Sequence, residues 1–100
     1  MEHIVDRVTG RIADVYTPPE DRVVVSTDSR TIDGVTVEVG LRVIDYDLHK
    51  GTVECADRII DGVVWWTIAL DNGRHSRMDG LRLWTRLRTN SGVMVAAERD

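Results

Sequence analysis

The sequence predicts an all-β protein built as a small barrel of about five to seven short antiparallel strands. Three observations carry this. Residues 81–88 alternate without a break, with Leu81, Leu83, Thr85 and Leu87 on one side and Arg82, Trp84, Arg86 and Arg88 on the other. Successive strand side chains point to opposite faces, so this is the pattern of a strand with one apolar and one arginine–tryptophan face. Turn signals recur about every ten residues. One of them, Asp71-Asn72-Gly73, also fixes the register of the strands it joins.

The N-terminal third leaves two readings open. Pro18-Pro19-Glu20-Asp21 breaks the chain between residues 11–17 and 22–27, both rich in β-branched residues, which suits a hairpin. The rival is a helix over residues 4–16, on which Ile4, Val8, Ile12 and Val15 share one side; Gly10 and the β-branched residues oppose it. Asp33-Gly34 marks the next turn. Val35, Val37, Val39 and Leu41 then alternate with polar residues or Gly, predicting a strand that continues to Asp45, with a bulge or bend at Gly40. His49-Lys50-Gly51 reads as a turn before a strand over residues 52–56.

Asp61-Gly62 introduces the strand at residues 63–70. Val64, Trp66, Ile68 and Leu70 form its more apolar side, and Trp65 lies on the other. A two-residue Asn-Gly loop after it would set Arg77 opposite Ile68 and Asp79 opposite Trp66, loading charge on the apolar face. A three-residue loop with Gly73 left-handed sets Ser76 opposite Ile68 and Met78 opposite Trp66. A one-residue slip flips every side chain, so the second register is expected. The chain then reads as one domain: residues 1–32 an N-terminal hairpin or helix, 33–88 the barrel core, 89–100 a C-terminal tail.

Composition narrows function mainly by exclusion. Twelve of the thirteen basic residues are Arg, and the formal net charge is −4. Residues 74–88 carry five Arg against one Asp, while the rest of the chain is acidic. No window approaches the ~20 apolar residues of a membrane span. The N-terminus, with acids at Glu2 and Asp6, does not read as a signal peptide. Cys55 is the only cysteine, so no internal disulfide forms. A cytoplasmic location is expected, the host cytoplasm for a phage-encoded protein.

Gly40-Leu41-Arg42-Val43, Gly51-Thr52-Val53, Trp65-Trp66-Thr67-Ile68, Asp71-Asn72-Gly73 and Arg82-Leu83-Trp84-Thr85-Arg86 resemble a pattern in small actinobacterial and actinophage proteins that carry no assigned function. Their order also resembles SH3-like barrels of the Tudor and KOW type. The resemblance covers residues 33–88 and implies an SH3-like barrel core. Tudor domains read methylated residues in an aromatic cage, for which Trp65 and Tyr46 would be walls. KOW modules often bind RNA or polymerase, yet are usually more basic than this chain.

Binding is therefore expected over catalysis. Trp65, Arg82, Trp84, Arg86 and Arg88 are the candidate partner-binding residues, and Arg74, His75 and Arg77 would widen the patch. A protein partner, host or phage, is the leading expectation. Nucleic acid on the same face is the second, through phosphate neutralisation and base stacking on Trp84. A virion component or self-assembling subunit, with acidic and basic faces meeting, is the third. The bland alternative is a charge-guarded edge strand with arginine stems over Trp84. Cys55 with His49, and the Asp45–Asp47 pair, read better as packing, turn and solvated residues than as a nucleophile with its base or a carboxylate dyad. His3, His49 and His75 lack zinc-ligand spacing. No cofactor or metal is expected.

Overall fold

The computed structural model describes residues 2–12, 18–26 and 29–99. The chain runs through β1 (Glu2–Asp6), a 3-10 turn (Pro19–Asp21), β2 (Arg22–Ser26), β3 (Arg42–Ile44), β4 (Lys50–Ile60) and β5 (Val63–Leu70). It continues through β6 (His75–Asp79), a second 3-10 turn (Gly80–Arg82), β7 (Arg86–Arg88) and β8 (Met94–Ala96). The protein is all-β, and no α-helix occurs among the described residues.

A four-stranded antiparallel meander, β3-β4-β5-β6, forms the central sheet and curls into a half-barrel. Each hairpin follows from its turn. Asp61 and Gly62 both adopt positive φ (51° and 79°), and Ile60 pairs directly with Val63, the two-residue geometry whose twist matches the flanking strands. At the next turn Gly73 has φ 88° and closes a three-residue loop. Ser76 then pairs with Ile68 and Met78 with Trp66, the register that keeps charge off the apolar face.

β4 steps out of register between Val53 and Cys55 and again between Ala56 and Arg58. Such bulges bend a strand and raise its twist, which curls the sheet. The concave face buries Val37, Val43, Val53, Val64, Trp66, Ile68 and Leu83 in one cluster. Each contributes roughly 1.5–3 kcal/mol by leaving water.

Several expectations change. Residues 4–12 are not helical: Ile4 lies in β1, and the Asp6 carboxylate accepts the Val8 N–H at 2.7 Å, turning the chain. Gly10 then takes φ 72°, outside helical space. β2 forms where a strand was expected, but its described partner is β1, with Ile4 opposite Val24. The remainder of the expected first hairpin strand, residues 13–17, and Thr27 lie outside the described residues. Residues 35–45 do not form one strand. Thr36 makes a single bridge with Arg30, Gly40 turns at φ 94°, and only β3 is regular. The turn expected at residues 49–51 sits earlier, with Leu48 at φ 63°, and β4 starts at Lys50.

Residues 81–88 are the main correction. Gly80 packs against the backbone of Arg30, where any β-carbon would overlap the Arg30 carbonyl oxygen. The chain turns there in a 3-10 helix, with Leu83 N–H bonded to the Gly80 carbonyl. Leu81 is consequently 66% exposed, while Leu83 is fully buried. Trp84 bridges to Ile44, bringing the end of the meander back toward β3, and β7 begins only at Arg86. Beyond it β8 folds back on β7, with Leu87 opposite Val95, and Ala97 is buried.

Leu83→Ala is expected to cost about 2–5 kcal/mol, because its cavity opens inside a packed cluster. Leu81→Ala is expected to change stability by less than about 0.5 kcal/mol. Urea denaturation of the two variants separates this geometry from an uninterrupted strand, which would bury both leucines.

Candidate functional site

The turn between β3 and β4 is shaped by Asp45. This residue is buried, and its Oδ1 accepts the backbone N–H groups of Asp47 and His49, each at 2.9 Å. A carboxylate held this way fixes the loop as an extra backbone-like acceptor. Tyr46 and Leu48 are thereby turned outward, 64% and 47% exposed.

Trp84 meets Tyr46 from the other side. Their ring centroids are 4.7 Å apart with planes at 85°, an edge-to-face pair. With Leu48, Leu87 and Arg88 they line a groove of about 430 Å³ whose far end is Thr89 and Asn90. Arg88 is exposed, and among the described residues its guanidinium reaches only the Gly92 carbonyl, at 3.5 Å. Neither Arg86 nor Arg88 has a carboxylate within ion-pair distance among the described residues.

A second carboxylate places the β7 side of the groove. Asp33 accepts the Thr31 hydroxyl at 2.6 Å, the Thr85 N–H at 3.0 Å, the Arg86 N–H at 3.2 Å and the Thr85 hydroxyl. Partial burial alone would raise its pKa. The bonds donated by Thr31 and Thr85 outweigh that and hold it at about 2 against an ordinary 3.8.

The sequence-predicted patch divides in two. Trp65, half-buried on the convex face of β5, lies under Arg82, whose guanidinium carbon is 5.3 Å from the ring centroid. Asp79 sits 3.8 Å from the same guanidinium. The structure brings Trp84 and Arg88 together in the groove instead, with Arg86 two residues earlier on β7. The proposed extension along β6 faces acids of β4: His75 lies 3.3 Å from Glu54 and Arg77 3.7 Å from Asp57, while Arg74 is exposed at the hairpin tip. The sequence reading does not single out Leu48 as a groove residue, and it places Tyr46 only as a wall beside Trp65. The signal for both is two large apolar side chains inside an acidic five-residue turn.

The remaining candidates are dispersed. Cys55 is exposed on β4, while His49 sits on the β3–β4 turn. Asp45 and Asp47 lie on that turn, not on a strand face. Donor atoms of Asp45, Asp47 and His49 lie within 4.8 Å of one another. Asp45 uses its carboxylate to hold the loop, which explains the cluster without an ion. Among the described residues, no helix is long and apolar enough to cross a membrane. No family model, curated protein or solved structure matches the chain.

The Asp33 interactions make stability pH-dependent. Its pKa is lower folded than unfolded, so the stabilisation is complete above about pH 4 and is lost as pH falls toward about 2. Screening at this surface position keeps the contribution to about 1 kcal/mol. Asp33→Asn is expected to lower neutral-pH stability by that amount and to flatten this part of the curve. Denaturant midpoints measured across the window for both proteins check it.

Proposed function

We propose that this chain is a non-catalytic, SH3-like binding module of the Tudor/KOW strand order, phage-type in origin, that docks a host or phage protein in the Tyr46–Trp84 groove. One observation carries the reading. An edge-to-face aromatic pair, exposed Tyr46 against half-buried Trp84, walls a groove whose rim holds a guanidinium without an acidic partner among the described residues. Aromatic walls take apolar side chains with little entropy loss, and Arg pairs with carboxylate in fixed geometry. The fitting ligand is an extended segment with an apolar anchor followed by an Asp or Glu for Arg88. The SH3-like reading is supported by the element order: a four-stranded meander, a 3-10 turn, then a return to its first strand through the Ile44–Trp84 bridge.

Panning a random-peptide display library against the protein is expected to enrich acid-bearing apolar peptides. Tyr46→Ala is expected to weaken them at least about tenfold, near 1.4 kcal/mol. Arg88→Glu is expected to weaken them and to invert the preference for acids. Peptides that bind Tyr46→Ala as tightly as the parent would place the site elsewhere.

Nucleic acid is the second reading, favoured by two open guanidiniums, Arg86 and Arg88, near a half-buried Trp84. Against it, Arg42, Arg58, Arg77 and Arg82 all face carboxylates. Single-stranded DNA or RNA affinity falling steeply with salt and lost in Arg86→Ala/Arg88→Ala supports this reading; no binding at low salt ends it.

A further inference from the structure

The central sheet ends at β6, and among the described residues no strand pairs with the outer side of β6. Which backbone groups face outward follows from one bond. The Leu70 N–H donates to the Arg74 carbonyl at 2.8 Å, and the pairing continues through Ile68–Ser76 and Trp66–Met78. Antiparallel pairs alternate between bonded and non-bonded. His75, Arg77 and Asp79 therefore sit in the non-bonded pairs and aim their N–H groups away from β5. Among the described residues nothing accepts those N–H groups. An edge of this kind is a template for another strand.

The side chains select the strand that fits. Arg77 is exposed on the convex face, and its guanidinium makes no hydrogen bond among the described residues, only a 3.7 Å contact with Asp57. A guanidinium has five N–H donors, so a second carboxylate can join the first. Asp79 lies on the same face, two residues on. Between them Met78 turns to the other face and packs against the core cluster. The order Arg77-Met78-Asp79 is its own complement when read antiparallel. Outward groups meet outward groups only where both opposed residues come from 75, 77 and 79. Setting Arg77 against itself, or against His75, brings no acid to Arg77. Setting Arg77 against Asp79 brings opposite charges together twice and places Met78 against Met78.

We propose that β6 pairs antiparallel with β6 of a second copy of this chain, across a twofold axis at Met78, joining two four-stranded sheets into one. Arg77 and the partner's Asp79 form a bonded pair on each side of the axis. The Asp79 N–H donates to the carbonyl of the partner's Arg77, and the guanidinium meets the carboxylate on the convex face. Each patch serves both copies, as a twofold interface requires. The 3-10 turn at Gly80 ends the pairing, so the interface is short and the dimer weak and reversible. β3, which leads into the Tyr46–Trp84 groove, is the opposite edge of the sheet, and the groove stays open in the dimer.

Sedimentation equilibrium at low salt is expected to show the average mass rising from one chain toward two with concentration, and less so at high salt. Arg77→Glu and Asp79→Lys are each expected to weaken the dimer at least about tenfold, because like charges then face each other. An equimolar mixture of the two variants is expected to dimerise again, since each supplies the charge the other lacks. Exchange of the Arg77 and Asp79 amide protons is expected to slow as concentration rises, while Tyr46→Ala leaves the dimer unchanged. Where Asp79→Lys loses the dispersed amide spectrum of the folded protein, Arg77→Pro replaces the mixing arm. It removes an outward N–H from an edge strand without touching the bonds to β5, and it is expected to abolish the dimer. The proposal is overturned by a monomer at every concentration into the millimolar range, or by a dimer that survives Arg77→Glu or Arg77→Pro. It is equally overturned by a mixture that stays monomeric, by exchange at Arg77 and Asp79 that ignores concentration, or by a dimer lost in Tyr46→Ala.

Discussion

The reciprocal backbone pair between Ile44 and Trp84 is the constraint on which the rest of the architecture turns. Ile44 N–H donates to the Trp84 carbonyl at 2.7 Å, and Trp84 N–H returns the bond at 3.0 Å. These two bonds tie the end of the meander to its first strand. They also decide where the Trp84 ring goes, and Tyr46, two residues past Ile44, meets it there. Two polar clamps hold this pair from either side. Asp33 fixes the next two residues, Thr85 and Arg86, through their N–H groups. Arg42, two residues before Ile44, forms a bidentate pair with Asp71 at 2.6 and 2.8 Å and donates through Nε to the Ala97 carbonyl at 3.1 Å. One guanidinium thus joins β3, the β5–β6 turn and the end of the C-terminal ribbon. The bonds Arg42 donates to Asp71 raise the guanidinium's pKa above its ordinary value and lower that of the carboxylate, so each partner favours the charged form of the other.

Magnitudes separate the parts of the arginine-rich segment. An exposed cation–π contact such as Arg82 over Trp65 contributes about 0.5–1 kcal/mol. The flanking Asp79 adds a surface ion pair of roughly 0–1 kcal/mol. Together they neutralise Arg82 locally, and a partner binding there would have to break both. Arg88 has no carboxylate partner among the described residues, so pairing it with an incoming carboxylate competes only with its long 3.5 Å bond to the Gly92 carbonyl. The same reasoning lowers the weight of Arg77 and His75, already set against Asp57 and Glu54. Of the five arginines concentrated in residues 74–88, Arg77 and Arg82 face carboxylates, whereas Arg86 and Arg88 on β7 and Arg74 at the hairpin tip have none within ion-pair distance among the described residues.

What could be read from sequence alone was local and periodic. The face assignment of β5 and the Ser76–Ile68, Met78–Trp66 register follow from one hairpin turn and one burial rule. The failure at residues 81–88 has a different character. Their alternation is as regular as that of residues 63–70, and nothing in the eight residues interrupts it. The interruption comes from Gly80 pressed against the Arg30 carbonyl, fifty positions away, which forces a 3-10 turn and tips Leu81 into solvent. Asp33 is legible as a turn residue, whereas the alternation puts Asp45 at a strand end. That their carboxylates position the two walls of one groove is not legible, because Thr85 and Arg86, which Asp33 holds, lie more than fifty residues along the chain.

The adjacent pair Trp65–Trp66 shows how one strand serves two surfaces. Alternation along β5 sends the first indole outward beneath Arg82 and the second inward to the core. The two steps in β4, one opposite Thr67–Ile68 and one opposite Trp65–Trp66, curl the sheet around the inner ring, which is 1% exposed. The same meander brings Ile44 to the returning Trp84, and Tyr46, two residues past Ile44, meets its ring there. One strand therefore supplies both the outward indole beneath Arg82 and the largest side chain of the core, while the sheet it belongs to carries the aromatic groove.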